Sequence, residues 1–242
     1  MNPILMIPAR MASTRLPGKP LADIAGVPMI VRVWARAAAA GLGPVVVAAS
    51  EPEVAAAVER AGGTAVMTDP TLPSGSDRIW AALKVIDPEG HHDVVVNLQG
   101  DLPALDPAEL RLVVDLLENT GADIATLAAP IDNEADRTNT SVVKAVAAWN
   151  PEETQGRALY FTRAVAPAGD GTLWHHVGLY AFRRAALERF ISLPPSPLEQ
   201  REKLEQLRAL EAGMSIAIAR VDAPPVSVDT PEDLARARAL LQ

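Results

Sequence analysis

Arg10, Arg15 and Lys19 are the only charged residues before Asp23, in a chain whose overall balance is acidic. Three cations with no nearby counter-charge can address an anion or form a solvated basic face, and the residues around them favour an anion. Arg15 can fork two phosphate oxygens and Lys19 can supply a point charge. Gly18, set among Pro17, Lys19 and Pro20, allows a sharp loop whose main-chain N–H groups approach a ligand closely. A nucleoside triphosphate suits such a loop. Asp101 is the next candidate, following Gln99 and Gly100 directly after an apolar run at 94–98. An acid there can hold Mg2+, which prefers oxygen ligands and arrives with substrate phosphates, or it can simply form a turn. Asp229, within Val228-Asp229-Thr230-Pro231, reads most simply as a cap at a helix start.

The elements that must position these residues alternate along the first half. Short runs at 4–7, 45–49, 64–67 and 94–98 read as strands, the first two of them buried. Helical spacing appears at 28–40 and 76–86, and Ser50, Pro52 and Glu53 suggest a helix opened by a capping box. This rhythm predicts a mostly parallel sheet flanked by helices, with ligands bound outside the carboxyl ends of the strands. Three polar loops fall there, at 9–20, 68–75 and 99–103. The second half is less regular, with strands expected at 123–130, 142–147, 177–182 and 216–221. Helices are expected at 197–212 and from Thr230 onward. The whole reads as a single α/β domain over 1–242 with an irregular β-rich extension at about 130–182.

Composition narrows the function. With 242 residues, 49% of them hydrophobic, the chain can bury a proper core and is not disordered. Thirty acids against 22 Lys and Arg leave a net charge of -8, which argues against a nucleic-acid partner. No apolar run approaches the ~18 residues of a membrane span, and no signal-peptide pattern opens the chain, so a cytoplasmic location without membrane insertion is expected. Cysteine is absent, which removes disulfides, thiolate catalysis and Cys-ligated metals together. The common nucleotide patterns are absent too. Pro20 stands where a P-loop needs Ser or Thr, no G-x-G-x-x-G occurs, and the missing Asp-x-Asp weakens a metal-dependent glycosyltransferase.

A set of motifs in order along the chain resembles a known family. These are Ile-Pro-Ala-Arg at 7–10, Ser-Thr-Arg-Leu-Pro-Gly-Lys-Pro at 13–20, Ser74-Gly75 with Arg78, and Asn-Leu-Gln-Gly-Asp at 97–101. His-Val-Gly-Leu-Tyr at 176–180, Pro-Leu-Glu at 197–199, Leu-Glu-Gln-Leu at 204–207 and Val-Asp-Thr-Pro-Glu-Asp at 228–233 complete it. Together they resemble the 3-deoxy-manno-octulosonate (KDO) cytidylyltransferases, a branch of the sugar cytidylyltransferases with a nucleotide-diphospho-sugar-transferase-like fold. The resemblance implies transfer of CMP from CTP to KDO, with release of pyrophosphate and Mg2+ as cofactor, and a homodimer. By position, Arg10, Ser13, Arg15, Lys19, Ser74, Gly75 and Arg78 would bind CTP, with Arg15, Lys19 and Asp101 catalytic. Asp101 and Asp229 would ligate the metal. Gln99, Arg163, His176, Tyr180, Glu205 and Gln206 would bind KDO.

Two departures from the family pattern stand out: Leu102 replaces an acid found in many members, and the stretch at 164–174 is shorter than the usual dimer hairpin. Competing readings are a cytidylyltransferase for a related sugar acid (8-amino-KDO or a sialate) and a catalytically silent nucleotide- or sugar-binding module.

Overall fold

The structure is a computed structural model that describes residues 1–13 and 15–241; Thr14 of the N-terminal loop and Gln242 lie outside the described residues. The chain forms two compact units, Met1–Arg111 with Pro225–Gln242, and Leu112–Pro224. The β-rich extension expected at about 130–182 lies within the second.

Along the chain come β1 (Pro3–Ala9), a small hairpin of β2 (Asp23–Ile24) and β3 (Val27–Pro28), α1 (Met29–Ala39) and β4 (Val45–Ala49). Then follow α2 (Pro52–Arg60), β5 (Thr64–Met67), α3 (Gly75–Ile86), β6 (Val94–Asn97) and α4 (Pro107–Thr120). In the first unit β1 lies between β4 and β6 and β4 pairs with β5, all in parallel. The apolar runs have a direct physical origin. Strands covered on both faces have no solvent side, so Ile4–Ile7, Val46–Ala49 and Val94–Val96 are buried throughout. Helix α1 closes over them with one stripe, Met29, Ile30, Val33 and Ala37, and α3 with Ile79, Ala82 and Leu83.

The second unit contains β7 (Ile124–Pro130), α5 (Glu134–Thr138), β8 (Lys144–Trp149), β9 (Gln155–Thr162), β10 (Trp174–Arg183), α6 (Arg184–Ser192), α7 (Pro197–Glu202), α8 (Leu207–Glu211) and β11 (Ile216–Arg220). Helix α9 (Pro231–Leu240) belongs again to the first unit. The strands run in the order β10-β7-β11-β9-β8, only β7 and β11 being parallel. Strand β8 meets β10 again at Lys144 and His175, which curls the sheet toward a closed barrel.

Three expectations are corrected. No capping box opens α2: Glu51 is its N-cap, and the single Ser50 hydroxyl proton goes to Glu51 Oε2 at 2.9 Å rather than serving the helix. The helix expected over 197–212 is two helices, broken at Lys203, which adopts a left-handed conformation with φ 57°. The strand expected from Val142 starts at Lys144, since Val142 closes a turn by donating its N–H to Asn139 O, and its side chain packs with Ile131 and Leu173.

Candidate functional site

The carboxyl ends of β1 and β6 and the start of α3 open onto one cleft of about 390 Å3 in the first unit. It is lined by Arg10, Ser13, Arg15, Lys19, Ser74, Gly75, Arg78, Gln99, Asp101 and Asp229, all ten of the first-unit residues singled out from the sequence. After β1 the chain is steered by Glu51, whose carboxylate accepts from the Met11 N–H at 2.9 Å. Ser13 Oγ accepts from the Leu16 N–H, and Gly18 then turns with φ 70°, a left-handed conformation that suits glycine. A 3-10 turn over Lys19–Leu21 buries Pro20 and aims Lys19 back into the cleft.

There Lys19 Nζ donates to Asp101 Oδ2 at 2.8 Å and to Asp229 Oδ1 at 3.0 Å. Burial opposes the ammonium charge, but Asp101 and then Asp229, by charge and hydrogen bond, more than offset it and raise the lysine pKa. Arg15 Nη2 lies 3.2 Å from Asp229 Oδ1, on the more exposed side. Asp101 follows β6 where Gly100 passes so close to Pro8 that a Cβ would lie 2.9 Å from its carbonyl oxygen. Asp229, 128 positions further along by number, reaches the same point because the Val228 N–H donates to Asp101 O at 2.9 Å. The capping box of α9 then pins it: Asp233 Oδ2 accepts from the N–H groups of both Asp229 and Thr230. The cap is therefore Thr230, and the Asp229 carboxylate is left to face the cleft.

Two carboxylate oxygens converging on one cation are a donor set that fits Mg2+, which takes one or two carboxylates and completes its shell with substrate phosphates and water. No group of three or more His, Cys, Asp or Glu able to hold a metal occurs among the described residues. The protein alone thus offers a partial shell.

Ser74 caps α3, accepting from the Asp77 N–H and donating to Asp77 Oδ2, and Gly75 opens the helix. Arg78 is 2% exposed. Its Nη1 donates to Thr68 Oγ1 at 2.6 Å and to Asp69 O, while its buried Nη2 has no hydrogen-bond partner. A buried donor left unpaired at the wall of a cleft is costly unless a ligand supplies an acceptor. Burial, with Arg10 as a further positive neighbour, lowers the guanidinium pKa. Gln99 is steadied from below, donating to Asn97 Oδ1.

The other predicted residues lie in the second unit. Arg163 is held on three main-chain carbonyls, Glu202 O, Thr140 O and Lys203 O, while the Glu202 carboxylate accepts from its N–H and from Thr162 Oγ1. It thereby ties β9 to the break between α7 and α8, the turn that carries Glu205 and Gln206. His176 and Tyr180 have ring centroids 5.4 Å apart, and Phe161 meets His176 edge-on at 4.7 Å. Burial pushes the His176 pKa down to about 3 and that of Tyr180 up, the latter helped by the negative charge of Glu205. Both rings are therefore neutral near pH 7.

The cytidylyltransferase family profile matches residues 4–216. A 3-deoxy-manno-octulosonate cytidylyltransferase of Parvibaculum lavamentivorans is 65% identical over 240 residues, covering 99% of this chain and 93% of the relative. One from Paramagnetospirillum magneticum is 62% identical over 242 residues, covering 100% and 98%. The chain belongs to the 3-deoxy-manno-octulosonate cytidylyltransferase family. Among solved structures, a CMP:2-keto-3-deoxy-manno-octonic acid synthetase complexed with CTP superposes with a TM-score of 0.90 at 38% identity, covering 99% of this chain and 98% of that one.

Within this cytidylyltransferase, Leu102 is 5% exposed and packs into the core beside the cleft, so its side chain needs no charge. Three supporting residues escaped the sequence reading. Glu51 fixes the loop after β1 and Thr68 holds Arg78; Thr126 reaches His176 at 3.0 Å. Each acts through another side chain or the backbone, and local spacing carries no sign of that.

Proposed function

We propose that this chain transfers CMP from CTP to KDO, giving CMP-KDO and pyrophosphate and so activating the sugar for lipopolysaccharide synthesis. The convergence of Lys19, Asp101 and Asp229 in one cleft walled by Arg10, Arg15 and Arg78 carries the reading. The names of the relatives and the CTP bound in the solved neighbour support it. The anomeric hydroxyl of KDO attacks the α-phosphorus of CTP. Its O–P bond forms as the bond to the leaving pyrophosphate breaks, and the hydroxyl proton passes to solvent. Such chemistry needs positioning and charge neutralisation rather than a covalent nucleophile.

Asp101 and Asp229 would hold Mg2+, which would supply neutralisation of the triphosphate charge and Lewis-acid polarisation. Lys19, kept cationic by its two carboxylates, adds a fixed positive charge beside the phosphates. Arg10 and Arg15 neutralise outer phosphate oxygens, with Ser13 and the Gly75 backbone as further donors. The unpaired Nη2 of Arg78 takes an acceptor on the nucleotide. On the sugar side, Arg163 provides the cation for the KDO carboxylate. In the second unit His176, Tyr180, Glu205 and Gln206 serve the hydroxyls. The enzyme works in the cytoplasm as a homodimer, for which Leu159 and Val165, 47% and 49% exposed, offer apolar surface. No helix among the described residues is long and apolar enough to cross a membrane.

The test is pyrophosphate release from CTP and Mg2+ with KDO, its 8-amino analogue and sialic acid in parallel. KDO is expected to be the preferred acceptor. Asp101→Asn and Asp229→Asn should each lower kcat at least a hundredfold (~3 kcal/mol of barrier) while circular dichroism stays native. Absence of release with any of the three sugars would leave a silent binding module, and wild-type turnover in both variants would remove the metal assignment.

A further inference from the structure

We propose that Thr126 sets the tautomer of His176, keeping the ring proton on Nε2 so that Nδ1 is a fixed hydrogen-bond acceptor for a hydroxyl of the sugar acid. The substrate half of this statement rests on the KDO reading above; the tautomer half does not.

Thr126 sits in β7, fully buried, and its Oγ1 has three close polar neighbours. His176 Nε2 is at 3.0 Å, Leu179 O at 2.9 Å and Val177 O at 3.1 Å. A hydroxyl has one proton and two lone pairs, and carbonyl oxygens only accept. If the threonine proton pointed at Nε2, Oγ1 would face two carbonyl oxygens at these distances with no hydrogen between them, a purely repulsive arrangement. If it points at a carbonyl, Oγ1 is free to accept from an Nε2–H, and donor and acceptor are both matched. The second arrangement assigns the proton to Nε2 and the lone pair to Nδ1.

The backbone is built to enforce this. The register of β10 against β7 shifts between Val177 and Tyr180: Val177 lies opposite Leu127 and Tyr180 opposite Thr126. Gly178 and Leu179 form a bulge there, and the Val177 and Leu179 carbonyls both meet one threonine. Phe161 and Tyr180 hold the plane of the ring. Burial keeps the imidazole neutral at working pH, so no second proton fills Nδ1. A neutral lone pair accepts from a hydroxyl and repels a carboxylate. His176 therefore reads a hydroxyl of a polyhydroxy acid and never its carboxylate.

The experiment uses the full chain labelled with 15N-histidine. Without substrate, the His176 ring should show the proton on Nε2. Thr126→Val, nearly isosteric, should mix the tautomers and raise KM for KDO about tenfold, with kcat and KM for CTP within about twofold. Thr126→Ser should restore both the spectrum and KM. A wild-type ring protonated at Nδ1, or a Val variant with an unchanged tautomer, would overturn the proposal without reference to any substrate. A shifted tautomer with unchanged KM for KDO would overturn the hydroxyl contact. Wild type that turns over no KDO at all would defeat the functional reading, while the spectra would still decide what Thr126 does.

Discussion

Replacing Lys19 with methionine removes one charge and keeps most of the side-chain volume, so its consequences can be worked from the geometry. At 2.8 and 3.0 Å, each Lys19–carboxylate contact has a gross attraction of about 5–6 kcal/mol at an effective dielectric of 20. The side chains are 17%, 23% and 36% exposed, and the desolvation that opposes the Lys19 charge cancels most of that attraction. The variant should therefore lose only about 1–3 kcal/mol of folding stability, read from a urea melt. Catalysis should suffer more, because in the proposed function the lost charge serves the transition state: about 2–4 kcal/mol, or thirtyfold to nearly a thousandfold in kcat. A third effect has the opposite sign. Two carboxylate oxygens no more than about 6 Å apart lose their shared cation, so the variant without CTP should gain more thermal stability from added Mg2+ than wild type does. Equal Mg2+ shifts in the two proteins, or a kcat within threefold of wild type, would refute the picture of a lysine placed between metal-binding carboxylates.

Arg208 grips Glu199 in two hydrogen bonds at 2.6 and 2.8 Å, the pair being 9% and 13% exposed. Arg208→Ala should cost about 3–5 kcal/mol, seen as a lower urea midpoint, because it strands a buried carboxylate. Burial alone would raise the Glu199 pKa, but the Arg208 hydrogen bonds, the Ser196 N–H and the Arg208 charge together lower it. The contribution of the pair is therefore present above the ordinary carboxylate range and lost as pH falls through the lowered value in the folded state. Glu109 is the reverse case: burial and then Asp106 raise its pKa from 4.5 to about 7. The folded state binds the extra proton, so stability falls as pH rises from about 4.5 to 7. After discounting for partial exposure, Glu109→Gln should stabilise the protein by about 1–2 kcal/mol at pH 8 and by little at pH 4. A gain that is the same at both pH values would show that Glu109 does not titrate in this range.

Legibility from the sequence follows the range of the interaction that makes each feature. Strands β1, β4 and β6 of the first unit were readable because strands buried on both faces must be apolar throughout, and their loops were readable because such strands leave only their ends for polar chemistry; β5, exposed at Thr64 and Met67, was readable only from its place in the strand–helix rhythm. The early cations were readable as a charge imbalance against an acidic chain. What local spacing could not carry is convergence. Nothing near Asp229 shows that the Val228 N–H finds Asp101 O, nor that Thr230 takes the capping duty and releases the aspartate for the cleft. The Asp101–Asp229 pair came from resemblance alone, and the fold supplies its physical cause. The helix expected over 197–212 failed for a related reason. Its periodicity is continuous, but the helix ends at Lys203, which turns left-handed, and Arg163, just beyond β9, donates to the Glu202 and Lys203 carbonyls at that break. That break sets Leu204, Glu205 and Gln206 on a turn rather than a helix flank. The propensity of the segment is thus overridden at the point where the resemblance places sugar-binding side chains, and local sequence rules cannot see it because the arginine that takes up the freed carbonyls lies about 40 residues earlier in the chain.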